Sequence, residues 1–443
     1  MSELLALAMF LVFVALILSG YPVAFSFAFT AVVFTFVGLG IDAFEAVQLR
    51  ALSSRWFGYV SDPNLLAVPF FVYMGAIFEK SGQAERLLTG IGRLFGPVRG
   101  GMAFSVVVVG TMLAAATGVT AATVIVMGLI SLPTMVRYGY DHRVATGVIG
   151  ASGTLAQIIP PSLVLIVLAS QTKVSVGALF RGALVPGLML SGLYALYIGY
   201  VAIRHPHKVP ALPLEDRSLH GWALAKDSIT AVVPPILLIA AVLGAIFQGI
   251  ATPSEVGAVG AVVSAIMALF NRRLTWTVIG DAAKSTANIT GLVMMMLLAS
   301  NFFAYIFDLM GGQRLVSEWL TDLPGGYWTF IIIANIAVFL LGINLEFLEI
   351  SFIVMPIFMP IVAELGIDPV WFLVMMAVNI NIAFISPPVG FSLFYLQSVK
   401  PPEVETRDIH LGVLPFVGLQ VVALVLVTVF PVTVTWLAGT SGG

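Results

Sequence analysis

The chain is 443 residues long, with 60% hydrophobic residues, 9% charged residues, a mean hydropathy of +1.06 and a formal net charge of −2. A soluble domain carries about 25% charged residues, so a soluble fold is excluded, and apolar stretches recurring across 4–437 exclude a soluble domain on one anchor. With no cysteine there are no disulfides or thiolate nucleophiles and few routes to structural zinc, and with no basic run there is no nucleic-acid partner to expect.

In hydrocarbon every backbone polar group must be satisfied within the protein, which leaves helix bundles and closed barrels. Long apolar runs without period-2 alternation choose helices, so the predicted fold class is an all-α polytopic membrane protein. The first apolar stretch, 4–18, lacks a basic leader and a small-residue cleavage site and reads as a retained helix. Arg50, Arg55 and Trp56 read as interfacial anchors. Residues 83–99 alternate apolar positions with Arg86, Arg93 and Arg99, and read as an amphipathic interfacial helix or as a cytoplasmic loop with a helical piece.

Residues 101–136 hold Thr117, Gly118, Thr120 and Thr123 between two apolar arms, each too short to span with ease, which predicts a re-entrant hairpin. Threonines also back-bond to the preceding helical turn, and Thr123 fits that role best. The next segment, 143–170, contains Pro160 and Pro161. Proline removes a backbone donor and clashes with the preceding turn, so two in succession predict two half-helices joined by an extended link; a proline-kinked helix is the alternative. Lys173 and Arg181, on either side of the following loop, read as further anchors. The polar stretch 204–227 carries Arg204, His205, His207, Lys208, Arg217 and Lys226. Basic residues concentrate on the cytoplasmic side, so it reads as a cytoplasmic linker between membrane halves 1–203 and 228–443.

The second half repeats the marks of the first in the same order. Pro387-Pro388 answers Pro160-Pro161, the turn 365–368 answers 138–141, Gly325-Gly326 answers Gly100-Gly101, and 301–305 answers 69–73. A second hairpin is predicted at 326–364, with Gly342, Asn344, Glu346 and Glu349 at its bend, and a second broken helix at 369–397. An odd number of crossings in each half would invert the copies and place the site near the midplane; hydropathy leaves that parity open.

Free carbonyls at a proline break can coordinate a cation, and the start of a half-helix can face an anion. The flanks carry suitable oxygens: Ser152, Gly153, Thr154 and Gln157 before the first pair, and Asn379, Asn381 and Ser386 around the second. Thr154, Gln157, Ser162, Glu346, Glu349 and Asn381 are the candidate substrate-binding residues. An ionised acid inside a membrane costs at least ~2.5 kcal/mol, so Glu346 and Glu349 need a reason to be there. They share a helix face in the first turn after the bend, which allows either helix capping or cation coordination.

Lys284-Ser285-Thr286 lacks the glycine frame of a phosphate-binding loop, and no His-Glu-x-x-His spacing occurs, so ATP binding of that kind and zinc hydrolysis have no motif here. The energy for uphill transport then comes from an ion gradient or another subunit. An intramembrane enzyme would also need buried carboxylates, but no nucleophile with its base is visible and such an enzyme gives no reason for paired broken helices. A channel could use broken helices, and active uptake against a gradient separates it from a carrier.

Over essentially its whole length the chain resembles the large membrane subunit of the tripartite ATP-independent periplasmic (TRAP) transporters. The resemblance is carried by LAVPFF at 66–71, by Thr117-Gly118-Val119-Thr120, by GTLAQIIPPS from Gly153, by LGINLE at 341–346 and by ISPPVGFSLF from Ile385. It implies an inverted repeat with two re-entrant hairpins and two unwound transmembrane helices, forming a transport domain that moves as an elevator. One sodium site would involve Thr117, Gly118, Thr120, Gly153 and Pro160; the second would draw on Gly342, Asn344, Asn379, Ser386 and Pro388, with substrate between the tips. The chain departs from the family where the first bend has Val119 in place of a serine and where Glu346 replaces an aspartate. The resemblance further implies a bacterial inner-membrane location, a small four-helix membrane (Q) subunit and a periplasmic substrate-binding protein as partners. The implied function is sodium-coupled uptake of an organic acid, of the C4-dicarboxylate, sialic-acid-like or 2-oxo/monocarboxylate type. The runner-up is a standalone sodium/anion symporter of related fold that needs no binding protein.

Overall fold

The computed structural model describes residues 2–213, 221–321, 326–343 and 345–439. Part of the expected linker (214–220), Gly325 and Asn344 therefore lie outside the described residues. Within them the chain is helical: α1 Ser2–Leu18, α2 Val23–Gly40, α3 Arg50–Val60, α4 Ala67–Lys80, α5 Gln83–Phe95, α6 Gly101–Thr117, α7 Thr120–Arg137, α8 His142–Thr154, α9 Leu163–Thr172 and α10 Val176–Arg204. The second half continues with α11 Gly221–Phe247, α12 Pro253–Phe270, α13 Trp276–Leu309, α14 Gly312–Thr321, α15 Gly326–Gly342, α16 Phe347–Glu364, α17 Pro369–Ile385, α18 Phe391–Ser398, α19 Thr406–Val429 and α20 Val432–Gly439. Among the described residues, eight helices are long and apolar enough to cross a membrane, and the α3–α4 pair, bent by 47°, makes a ninth.

The repeat is visible in local chemistry. After α7, Gly139 takes a left-handed conformation (φ 76°), Tyr140 N donates to Met135 O at 3.0 Å, and the Asp141 carboxylate accepts from Arg143 N and Val144 N to cap α8. After α16 the same turn recurs: Gly366 has φ 65°, Ile367 N donates to Val362 O at 2.9 Å, and Asp368 accepts from Trp371 N at 2.7 Å to cap α17. A glycine closes one helix and an aspartate opens the next, so the chain reverses with its end groups satisfied.

Packing follows the same twofold pattern. The α2–α13 contact is answered by α12–α4, α8–α19 by α17–α10, and α9–α16 by α18–α7. Helices α8 and α19 approach through small residues: a Cβ on Gly147 would overlap the carbonyl of Gly412, and one on Gly412 would overlap that of Arg143. Small residues of this kind let membrane helices pack backbone to backbone.

With α6–α7 and α15–α16 taken as re-entrant hairpins, so that their long arms α7 and α16 do not count, the described residues give each half five crossings: α1, α2, α3–α4, α8–α9 and α10 in the first, and α11, α12, α13, α17–α18 and α19 in the second. The paired arms α6–α7 and α15–α16 return to the side they start from. Five is odd, so the halves are inverted. Hydrogen bonds and ion pairs agree. The base of hairpin α6–α7 lies at the linker, where Gly100 N donates to Val209 O and Asp141 N to Lys208 O, both at 2.9 Å, and Lys208 Nζ pairs with Asp141 at 3.5 Å. Helix α19 starts on that same side, since Asp408 pairs with Arg143 at 3.3 Å and with His142 at 3.7 Å. It then runs 24 residues, about 36 Å, to where Trp371 Nε1 donates to Val427 O at 2.8 Å. Trp371 opens α17 directly after α16, so hairpin α15–α16 has its base on the opposite side.

Two groups of helices result. The frame comprises α1–α5 and α11–α14, and the second unit comprises α6–α10 and α15–α20, with α4 packed on α6 and α9, and α13 on α16. At Gly75 of α4 a Cβ would lie 2.6 Å from the Thr117 backbone, so the frame braces the tip of the first hairpin directly. Helix α5 buries Leu87, Leu88 and Ile91, while Arg93 reaches Asp227 at 2.8 Å. The 83–99 stretch is thus mainly a helix.

Candidate functional site

The first tip is the turn from α6 into α7. Gly118 stands at φ 61°, a left-handed backbone, and a Cβ there would lie 2.9 Å from the carbonyl oxygen of Pro161. Tip and proline break are thus in direct contact. Thr117 Oγ1 donates to Leu113 O at 2.9 Å and lies 3.0 Å from Thr123 Oγ1, which in turn donates to Val119 O at 3.0 Å. Thr117 and Thr120 are both buried. Val119 sits at the N-cap of α7 and offers no side-chain cap, so the first amides of α7 start without one.

At the first break α8 ends at Thr154 and α9 begins at Leu163, with a cis bond between Pro160 and Pro161. Among the described residues no donor reaches the carbonyls of Ile159, Pro160 and Pro161. Gln157 is fully buried, and neither its Oε1 nor its Nε2 has a partner. The turn carrying it touches α6, α7, α10 and α17. A buried unpaired amide costs about 1–3 kcal/mol, and Gln157 carries that cost with both of its amide atoms unpartnered among the described residues. Gly153 fits closely against Val124 of α7, where a Cβ would overlap it.

The second tip leads from Gly342 towards Glu346, with Asn344 outside the described residues. Gly342 packs on Ala383 of α17, where a Cβ would overlap the alanine side chain. Glu349 accepts from the backbone N–H of Glu346 at 2.9 Å, a capping-box contact at the start of α16. Of the two roles open to it, capping is the one its contacts show. Glu346 Oε1 instead accepts from Tyr395 OH at 2.9 Å, which ties the tip to α18.

At the second break α17 ends at Ile385, Pro387-Pro388 is cis, and α18 begins at Phe391. The carbonyls of Ser386, Pro387 and Pro388 receive no hydrogen bond among the described residues. Asn379 donates through Nδ2 to Asn335 O and Oδ1, at 2.7 and 2.8 Å, leaving its own Oδ1 without a partner. Asn381 accepts from Gln420 Nε2 at 3.5 Å, Gln420 Nε2 donates to Tyr194 OH at 2.6 Å, and Asn381 Nδ2 is unpaired.

The geometry brings Thr117, Gly118 and Thr120 to the first break and Gly342 to the helix that leads into the second. It turns three hydroxyls to local backbone: Thr154 donates to Ala151 O at 2.9 Å, Ser162 to Gln157 O at 2.6 Å, and Ser386 to Ile382 O at 2.7 Å. Asn335, Tyr194, Gln420 and Tyr395 join the polar network without being marked by the motifs above. Their one signal is a lone polar group inside a long apolar run, as with Asn335 in FIIIANIAVFLLG. The donors on offer at the breaks are carbonyl, hydroxyl and amide oxygens, a set suited to hard cations; among the described residues no three acidic, histidine or cysteine side chains cluster as for a transition metal.

Comparison with known proteins places this geometry. A family model described as "Tripartite ATP-independent periplasmic transporter, DctM component" matches residues 10–433. The C4-dicarboxylate TRAP transporter large permease protein DctM of Pseudomonas aeruginosa is 35% identical over 397 residues, 89% of this chain and 90% of that protein. The isethionate TRAP transporter permease protein DctMQ of Oleidesulfovibrio alaskensis is 28% identical over 429 residues, 96% of this chain and 65% of that protein. Among solved structures, the Alcanivorax borkumensis YdaH transporter aligns with a TM-score of 0.65 at 14% identity, covering 87% of this chain and 89% of that one, a likeness of fold. The chain is therefore a multi-pass inner-membrane protein that belongs to the DctM component family of the tripartite ATP-independent periplasmic transporters.

Proposed function

We propose that this chain carries out sodium-coupled uptake of an organic acid anion, delivered by a periplasmic binding protein. The observation that carries the reading is the meeting of a hairpin tip with a proline break whose carbonyls are uncommitted, at Gly118 and Pro161. The second hairpin, entering from the opposite side, brings Gly342 against Ala383 in the last turn of α17 before the second break. Sodium, as a transported ion, fits oxygens of this kind. Thr117, Thr120 and the 159–161 carbonyls form the first candidate set, with Gly118 and Gly153 supplying close backbone approach. The 386–388 carbonyls and Asn379 Oδ1 form the second. Gln157 and Asn381, which keep unpaired amide atoms, are the strongest candidates for substrate. Movement of the second unit against the frame is the proposed transport step.

The substrate class rests on the 35% identity to a C4-dicarboxylate permease. Moving a dianion inward against 100 mV costs about 4.6 kcal/mol, and three sodium ions reverse the sign. The linker face, with Arg204 and Lys208, is the proposed cytoplasmic side. The relative named DctMQ is longer than the span matched here, which supports a separate small membrane subunit as partner.

The test is uptake of labelled succinate into proteoliposomes holding this chain, the small subunit and the binding protein. Accumulation driven by an inward sodium gradient and absent with potassium supports the reading. Equal uptake without the binding protein favours a standalone symporter, and no uptake under any gradient refutes the assignment of substrate.

A further inference from the structure

A cleft separates the frame from the second unit on the face opposite the linker. It has two lobes of about 550 and 930 Å³ that share Arg55, Tyr59 and Lys173 in their walls. Arg55 comes from α3 of the frame. Lys173 caps the C-terminus of α9 with φ 58°, so it belongs to the second unit. Neither forms an ion pair among the described residues. Arg55 is held over the ring of Tyr305 at 4.4 Å, and Tyr305 OH donates to Gln48 O at 2.7 Å.

The walls also hold neutral polar groups with nothing to bond. Asn301 Oδ1 and Gln171 Nε2 line the smaller lobe, buried and unpartnered. The carboxylates there have different commitments: Asp62 accepts from the backbone and side chain of Asn64 to cap its own turn, whereas Asp308 stands in the smaller lobe. A guanidinium and an ammonium lining one cleft, contributed by different helix groups, are the donor types that bind a small carboxylate.

We propose that Arg55 and Lys173 form an outer anion site, separate from the proline breaks, in which a small organic carboxylate is held between frame and second unit before it reaches the deeper site. The inference rests on the organic-acid reading given under Proposed function. Because the two cations belong to different helix groups, displacement of the second unit separates them and releases the anion. Asp308 opposes the anion and sets an upper bound on how tightly it is held.

The experiment is equilibrium binding of succinate to the full chain in nanodiscs, without binding protein and without sodium, for wild type, Arg55→Gln, Lys173→Gln and the swaps Arg55→Lys and Lys173→Arg. Each neutral variant is expected to weaken binding about fivefold, the worth of roughly one partly exposed charge pair. The charge-preserving swaps are expected to recover most of it, and Asp308→Asn to tighten it. A structural role would not be rescued by charge. Unchanged binding in both neutral variants, or no binding to wild type, overturns the proposal. So does wild-type binding found in phosphatidylcholine discs and abolished by phosphatidylglycerol, which would assign the cations to lipid headgroups. Succinate binding that is lost in the variants while sodium-driven uptake is absent in wild type would refute the transport reading and leave the site standing.

Discussion

Gly118 and Pro161 meet at a distance that leaves no room for a side chain: a Cβ on the glycine would stand 2.9 Å from the proline carbonyl oxygen, on a backbone at φ 61°. Gly118→Ala therefore adds left-handed strain, about 1–2 kcal/mol, and pushes the hairpin tip off the break. Sodium-driven uptake is expected to fall severely while the purified protein stays folded by size-exclusion and melting measurements. Full activity would show that the tip need not seat on the proline pair.

Gln157 tests a group whose burial lacks a structural reason. Gln157→Leu keeps the volume and removes an unpaired amide, so thermal stability is expected to hold or rise. Uptake is expected to drop by about tenfold or more, equivalent to about 1.4 kcal/mol. A fall in melting temperature with unchanged uptake would assign Gln157 to the core instead.

Thr117→Ala and Asn379→Ala are expected to raise the sodium concentration needed for half-maximal uptake before they affect membrane insertion. The Thr117 hydroxyl already donates to Leu113 O, which leaves only its lone pairs to offer an ion. Sodium activation curves that superimpose on wild type would remove both residues from the ion path.

The two helix-capping aspartates give a matched pair. Asp368→Ala loses a cap to Trp371 N, worth about 1 kcal/mol. Asp141→Ala loses two capping bonds and the contact with Lys208, so it is expected to lower the melting temperature further. Equal shifts would mean that the linker contact adds nothing to stability.

Much of this architecture is written locally. Two successive prolines break a helix wherever they stand, and a glycine followed two residues later by aspartate closes one helix and opens the next, so the breaks and the 138–141 and 365–368 turns are readable from sequence. The sidedness of the hairpins is different in kind. It depends on Asp408 finding Arg143 and on Trp371 finding Val427, contacts across 265 and 56 residues that no local pattern encodes. The Tyr194–Gln420–Asn381 chain is hidden for the same reason: Asn381 is marked by its place before the second break, but only packing shows that Tyr194 and Gln420 converge on it. Arg55 and Lys173 read as interfacial anchors because a cation near a helix end has that ordinary role, and only the cleft between helix groups gives them another.

The duplicated turn at Gly139–Asp141 and Gly366–Asp368 bears on how such a molecule can travel. A reversal whose carbonyls and amides are answered by its own chain has little need of water or headgroups to complete it. The ends of hairpin and broken helix are therefore closed surfaces, able to change depth in the bilayer without exposing a row of unmet backbone groups. What ties the first of these ends to the linker is a short set of contacts, the backbone bonds to Val209 and Lys208 and the Lys208–Asp141 pair.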